Sequence, residues 1–108
     1  TRLVKSLVAD GKTIIGYGAS TKGNVLLQFC GFTTNEIPFI AEVNEEKFGR
    51  VTPGTHIPII SEKEAAAMNP DYYLVLPWHF RSGIVLREKQ YLAGGGRIIF
   101  PFPEIEIV

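Results

Sequence analysis

The feature that most constrains this chain is an apolar run that meets closely spaced glycines: Thr13-Ile14-Ile15-Gly16-Tyr17-Gly18-Ala19-Ser20-Thr21-Lys22-Gly23-Asn24. Its first half is β-branched and aromatic and too short for a typical helix, which suits a strand buried on both faces. Its second half is small, hydroxylated and flexible, and leads into apolar spacing over residues 22–30 that predicts a helix. Strand, tight turn and helix in this order are the opening unit of a parallel α/β sheet. At such a turn glycine lets the backbone approach a bulky anion, and the N–H groups and dipole at the helix start favour negative charge.

The rest of the sequence reads as a sheet built around that turn. Residues 2–10 predict a short helix with a stripe at Leu3, Val4, Leu7 and Val8, stopped by Asp10-Gly11. In the helix over residues 22–30, Val25, Leu26 and Phe29 are expected to face inward, with Gly31 as the stop. Residues 37–43 predict a second strand, with Pro38 near its start where a missing N–H is tolerated. Pro53-Gly54 fits the centre of a type II turn, and residues 56–60 predict a short third strand kept near an edge by Pro58. Ser61 with Glu64 three residues on is a capping box, opening an alanine-rich helix that ends by Asn69-Pro70. A fourth strand over residues 72–76 closes at Pro77. A loop follows, then a helix carrying Ile84, Val85, Leu86, Tyr91 and Leu92 that Gly94-Gly95-Gly96 terminates. Residues 97–100 predict a fifth strand, and residues 105–108 can add a last edge segment.

Alternating strands and helices predict a Rossmann-like three-layer α/β/α sandwich over residues 1–108. Its five-stranded, mainly parallel sheet is expected in the order 3-2-1-4-5. Ligands in such sheets sit beyond the C-terminal strand ends, near the point where strand order reverses. Those ends fall at residues 18–24, 42–44 and 78–80.

Composition narrows the function. Hydrophobic residues make up 45% and charged residues 20% of 108 residues, with a formal net charge of zero, which excludes a disordered chain and gives no basic excess for nucleic acid. The lone Cys30 cannot form an internal disulfide or a cysteine-rich zinc site, which fits a reducing, cytoplasmic setting; near the end of an apolar helix it reads as filler rather than nucleophile. No run reaches membrane-span length and no signal sequence opens the chain. It starts at Thr1 with helical spacing already under way, as expected of a fragment of something longer.

The first turn matches no standard fingerprint. Gly16 and Gly18 open a G-x-G-x-x-G pattern, but Thr21 occupies its third glycine position; Gly18 and Gly23 have P-loop spacing, but Asn24-Val25 replaces the Lys-Ser/Thr pair. Lys22 instead stands in the first helical turn, where it either neutralises a phosphate cradled by Ser20, Thr21 and backbone N–H groups or is simply solvated. Glu42 ends the second strand, where a ribose-binding acid or a plain strand-end carboxylate fits equally. The loop with Lys47, Arg50, Thr55 and His56 suits pyrophosphate or sugar hydroxyls, or a solvated turn. His56 and His79 are general bases by residue type, though neither has an acid nearby in sequence. Trp78 and Phe80 suit either a pocket wall or packing beneath a helix.

Taken together, Gly16-Tyr17-Gly18-Ala19-Ser20-Thr21-Lys22-Gly23-Asn24, Lys47-Phe48-Gly49-Arg50-Val51-Thr52-Pro53-Gly54-Thr55-His56-Ile57-Pro58-Ile59 and Leu76-Pro77-Trp78-His79-Phe80 resemble the C-terminal domain of the nucleotide-sugar C-methyltransferase family. The Thr-Pro-Gly-Thr-His-Ile-Pro block is the most specific part. The resemblance implies a parent enzyme with an N-terminal zinc region and a central S-adenosylmethionine-binding domain. That enzyme would methylate a sugar carbon, such as one beside the ketone of a nucleotide-linked deoxysugar, through an enolate. This domain would then hold the nucleotide diphosphate sugar and close the active site, with no cofactor, metal or catalytic residue of its own, and would be inactive alone. Its expected substrate-binding residues are Gly18, Ala19, Ser20, Thr21, Lys22, Asn24, Glu42, Asn44, Lys47, Arg50, Thr55, His56, Trp78, His79 and Phe80. One departure stands out: Ser82-Gly83 occupies positions where the family usually carries acids. Two other readings remain open, a free-standing CoA- or nucleotide-binding module and a small enzyme binding S-adenosylmethionine at the first turn.

Overall fold

The computed structural model describes residues 2–18, 21–42, 45–52, 54–76, 81–100 and 105–108, and for residues 2, 21–24, 45 and 81 it describes the backbone. Helix α1 (Arg2–Ala9) precedes strand β1 (Ile14–Tyr17) and helix α2 (Thr21–Cys30). Strand β2 (Ile40–Glu42), a single 3-10 turn at Glu45–Lys47, strand β3 (Ile59–Ser61) and helix α3 (Glu62–Ala67) follow. The rest comprises β4 (Tyr72–Val75), α4 (Arg81–Arg87), α5 (Lys89–Ala93), β5 (Arg97–Phe100) and β6 (Glu106–Ile107).

Among the described residues, the strands form one sheet in the order β3-β2-β1-β4-β5-β6. The first five are parallel, in the predicted order, and β6 adds an antiparallel edge that pairs Phe100 with Glu106. Alternating side chains feed two cores, as a strand's period of two requires. Ile14, Ile40, Leu74 and Ile99 face α1 and α2, with Val4 and Leu27; Ile15, Tyr17, Ala41, Tyr73, Val75, Ile98 and Phe100 face the opposite layer, with Ala65 and Ile84. Gly16, at the centre of β1, has no room for a larger residue, since a Cβ there would lie 3.0 Å from Ile40 Cγ1. It packs strands rather than shaping the turn.

Four local expectations change. The second strand starts at Ile40 rather than at residue 37. In α2 the buried residue is Leu27, while Val25 and Phe29 are exposed and Leu26 is half-buried. Residues two apart on a helix differ by about 200° around its axis, so burying Leu27 turns both Val25 and Phe29 outward. The third strand begins at Ile59 rather than at residue 56, because Thr52, Ile57 and Pro58 are engaged in a hairpin described below. The single predicted last helix is two, broken at Glu88, whose carboxylate is used elsewhere. The serine half of the capping box is formed as read, Glu64 N–H donating to Ser61 Oγ at 3.1 Å, while the Glu64 carboxylate accepts from the Ser61 hydroxyl at 3.2 Å rather than from its backbone N–H. No described helix is long and apolar enough to cross a membrane.

Candidate functional site at the strand ends

The ends of β1 and β2 lie side by side at the C-terminal edge of the sheet. Gly18 leaves β1 with φ +84, a left-handed conformation that glycine adopts without strain, and its N–H donates to Ala41 O at 2.8 Å. One residue beyond Ala41, Glu42 is only 9% exposed, and Lys47 Nζ comes within 3.9 Å of Glu42 Oε1. The sheet order reverses between β1 and β4, so Gly18 stands at the switch point where α/β sheets open a crevice. Helix α2 starts three residues further on, and its first turn contains Thr21, Lys22 and Asn24. Ala19, Ser20, Asn44, Trp78, His79 and Phe80 lie outside the described residues, as does Pro53.

Thr55 and His56 are placed elsewhere, and Arg50 stands at the base of the segment that carries them, its N–H donating to Lys47 O at 3.2 Å. The chain after Lys47 runs back along the edge of β3: Gly49 N–H donates to Ile59 O at 3.1 Å, Ile59 N–H to Arg50 O at 2.8 Å, and Val51 forms an antiparallel bridge with Pro58. Thr52 is buried; its Oγ1 accepts from Ile57 N–H at 2.9 Å and pairs with the Thr55 hydroxyl. The hairpin tip therefore precedes β3 and points to the edge at which the parallel strands begin. Gly54 confirms this placement, because a Cβ on it would collide with Gln28 in the last turn of α2. His56 sits at that tip, exposed, with φ +57. The structure thus brings together Gly18, Glu42 and Lys47, places Arg50 at the base of the hairpin, and sets Thr55 and His56 apart at the tip.

A second polar group at the C-terminal edge has no counterpart in the sequence reading. Tyr17, the last residue of β1, donates its hydroxyl to Glu88 Oε2 at 2.9 Å, while Arg87 pairs with Glu62 at the start of α3. Burial above all, then the hydrogen bond and charge of Glu88, push the Tyr17 phenol far above its ordinary pKa. Tyr17 is accordingly a hydrogen-bond donor at neutral pH and not a base. Burial also raises the Glu62 carboxyl, against the opposing charge of Arg87 and with further push from Glu88 and Glu42. Beneath Tyr17 the rings of Tyr73 and Tyr91 continue a contact chain, at centroid distances of 5.4 and 4.7 Å. Both phenols are pushed up to about 12, chiefly by burial. Tyr91 donates to Pro70 O at 2.9 Å, tying α5 to the turn before β4.

These partners are 71 residues apart for Tyr17 and Glu88 and 25 apart for Arg87 and Glu62, so no local spacing reveals them. The only sequence signal is Glu62 itself, which directly follows the capping Ser61 and reads there as a helix-start acid. Among the described residues no group of three or more His, Cys, Asp or Glu side chains is placed to hold a metal ion.

A family described as the C-methyltransferase C-terminal domain matches residues 1–103. The C-methyltransferase NovU of Streptomyces niveus is 47% identical over 106 residues, a match covering 98% of this chain and 25% of NovU. The chain therefore spans about a quarter of the length of that relative.

Proposed function

This chain belongs to the C-methyltransferase C-terminal domain family, and we propose that it is the part of such an enzyme that holds a nucleotide-linked sugar for methylation. One observation carries the reading: the left-handed turn at Gly18 lies against the strand that ends in the buried Glu42 and its partner Lys47, at the switch point of a parallel sheet. Backbone N–H groups after Gly18 and the ammonium of Lys22 suit a diphosphate, since both offer donors and positive charge at the start of α2. Glu42 suits hydroxyls of a ribose or sugar, because a carboxylate accepts where hydroxyls donate. Lys47 is near enough to balance that carboxylate.

Ala19, Ser20, Thr21, Asn24, Asn44, Trp78, His79 and Phe80 are proposed as further sugar-nucleotide contacts from the sequence alone. Arg50, hydrogen-bonded through its backbone to Lys47, is proposed as a further cation of the site, while Thr55 and His56 at the hairpin tip are left out of it. The methyl group would come from S-adenosylmethionine held by another part of the enzyme, with zinc also held outside this chain. The tasks left to these residues are to bind and orient the sugar nucleotide. Such an enzyme is proposed to be cytoplasmic.

Calorimetric titration of the chain with a nucleoside diphosphate sugar, S-adenosylmethionine and CoA tests the proposal. We expect heat from the sugar nucleotide and a loss of about tenfold in affinity on Lys22→Ala, the size of one charge-assisted hydrogen bond. Tight S-adenosylmethionine binding that survives the substitution would overturn the reading, and preference for CoA would favour a free-standing nucleotide module.

A further inference from the structure

We propose that the outer face of α2, built on Val25 and Phe29, is a docking surface for the preceding part of a C-methyltransferase polypeptide. The inference needs only the family membership and not the sugar-nucleotide reading. Val25 and Phe29 are one helical turn apart, so they share a face, and they are 59% and 89% exposed. Lys22, near the start of the helix, is the single charged residue among the ten of α2. By contrast, the exposed positions of α1 include Lys5, and those of α3 include Lys63 and Glu64. A helix that packs Leu27 on the sheet and presents Val25 and Phe29 to water, with Lys22 as the one charge at the N-terminal end of the same stripe, has two apolar sides, which marks a surface made to be covered.

The occupant follows from size and direction. The family is a C-terminal domain, and the match spans 25% of NovU, so most of such a chain precedes this one. That preceding part would enter at α1, which packs in the same layer as α2, with Val4 and Leu27 in one core. A Phe side chain offers about 150–250 Å² and a stable dimer needs about 800 Å² from each partner, so two residues are too few to hold a second copy. A covalently linked partner needs far less contact, because the tether already supplies a high effective concentration. Docking there would also fix the helix whose first turn carries Lys22 beside the Gly18 turn.

The test compares the chain alone with a chimera in which it replaces the matching segment of NovU, reading amide hydrogen exchange in α2 and thermal unfolding. The expected result is slower exchange of α2 in the chimera. Phe29→Glu should leave the melting temperature of the chain alone unchanged, yet lower that of the same segment in the chimera by several degrees, while Phe29→Leu retains most of the difference. Equal α2 exchange in the two settings, or two independent unfolding transitions in the unsubstituted chimera, would overturn the proposal. So would a dimer of the chain alone, seen by sedimentation, that Phe29→Glu dissociates. Sugar-nucleotide binding is read separately by calorimetry, so failure of either proposal is seen without the other.

Discussion

The two edges of the sheet solve the same problem, closing the ends of short strands, with opposite chemistry. At the edge where the strands begin, the hairpin after Lys47 is closed by backbone pairing, the hydroxyl of Thr52 and the fully buried Ile57. At the edge where they finish, the side chains are ionisable: Tyr17 on Glu88, Arg87 on Glu62, Lys47 by Glu42. The first edge spends its polar atoms on itself. The second gathers acids, cations and a neutral phenol where the parallel strands finish. The described residues of the block that is most distinctive as sequence, 52 and 54–58, thus belong to the hairpin.

If the hairpin is a folding element, its substitutions must cost stability without touching the other edge. Ile57→Ala should show the largest effect, a loss of about 3 kcal/mol in urea unfolding, because a fully buried branched side chain leaves a cavity. Sugar-nucleotide affinity of the folded fraction should stay unchanged; a parallel fall in affinity would erase the contrast between the edges. Next comes Thr52→Val, which keeps the shape but leaves the Ile57 N–H without its acceptor, at about 2 kcal/mol. Equal stability of the valine variant would mean that the hydroxyl is not what closes the hairpin.

Tyr17→Phe probes the opposite edge. It removes a hydrogen bond to a carboxylate in a partly buried setting, and a loss of about 1.5 kcal/mol is expected in the same unfolding assay. Unlike the hairpin substitutions, it should also shift sugar-nucleotide affinity, since Tyr17 directly precedes Gly18. Unchanged affinity with reduced stability would make the tyrosine–glutamate pair purely structural.

Much of this architecture can be read from local pattern, because short buried strands and capped helices carry their signals within a few residues. Residues 13–17, 72–76 and 97–100 are apolar enough to give their strands, and Ser61 with Glu64 gives the start of α3. The side of α2 that faces the sheet is not readable in this way. Val25, Leu26, Leu27 and Phe29 are all apolar, so periodicity offers no unique stripe, and only contact with Ile14 and Ile40 in the common core selects Leu27. The break at Glu88 and the pairing of Tyr17 with it are invisible for another reason. They depend on β1 and the junction of α4 and α5 meeting across the fold, which no spacing records. At the candidate site, Gly18 and Glu42 are recognisable from position at strand ends, whereas the separation of Lys47 from Thr55 and His56 follows from a hairpin direction that only the register of β3 reveals.

The smallest expected effect concerns pH, and it separates the edges by charge alone. Burial raises the Glu62 carboxyl above its ordinary value of about 4.3, so between that value and the raised one the folded state holds more protons than the unfolded state. Stability attributable to Glu62 is therefore fully present below this window and falls as pH rises through it. Glu62→Gln removes the step, so the stability of the native protein relative to the variant should decline from pH 4 upward and then level off. The difference between the two proteins cancels every other carboxylate that titrates equally in both. The change should be small, since Glu62 is only partly buried and Arg87 offsets part of the burial cost. Thr52→Val against the native protein should show no slope over the same range, as neither residue titrates. A native curve that instead rises against Glu62→Gln through the window would mean that the Arg87 ion pair outweighs desolvation as the influence on this carboxyl.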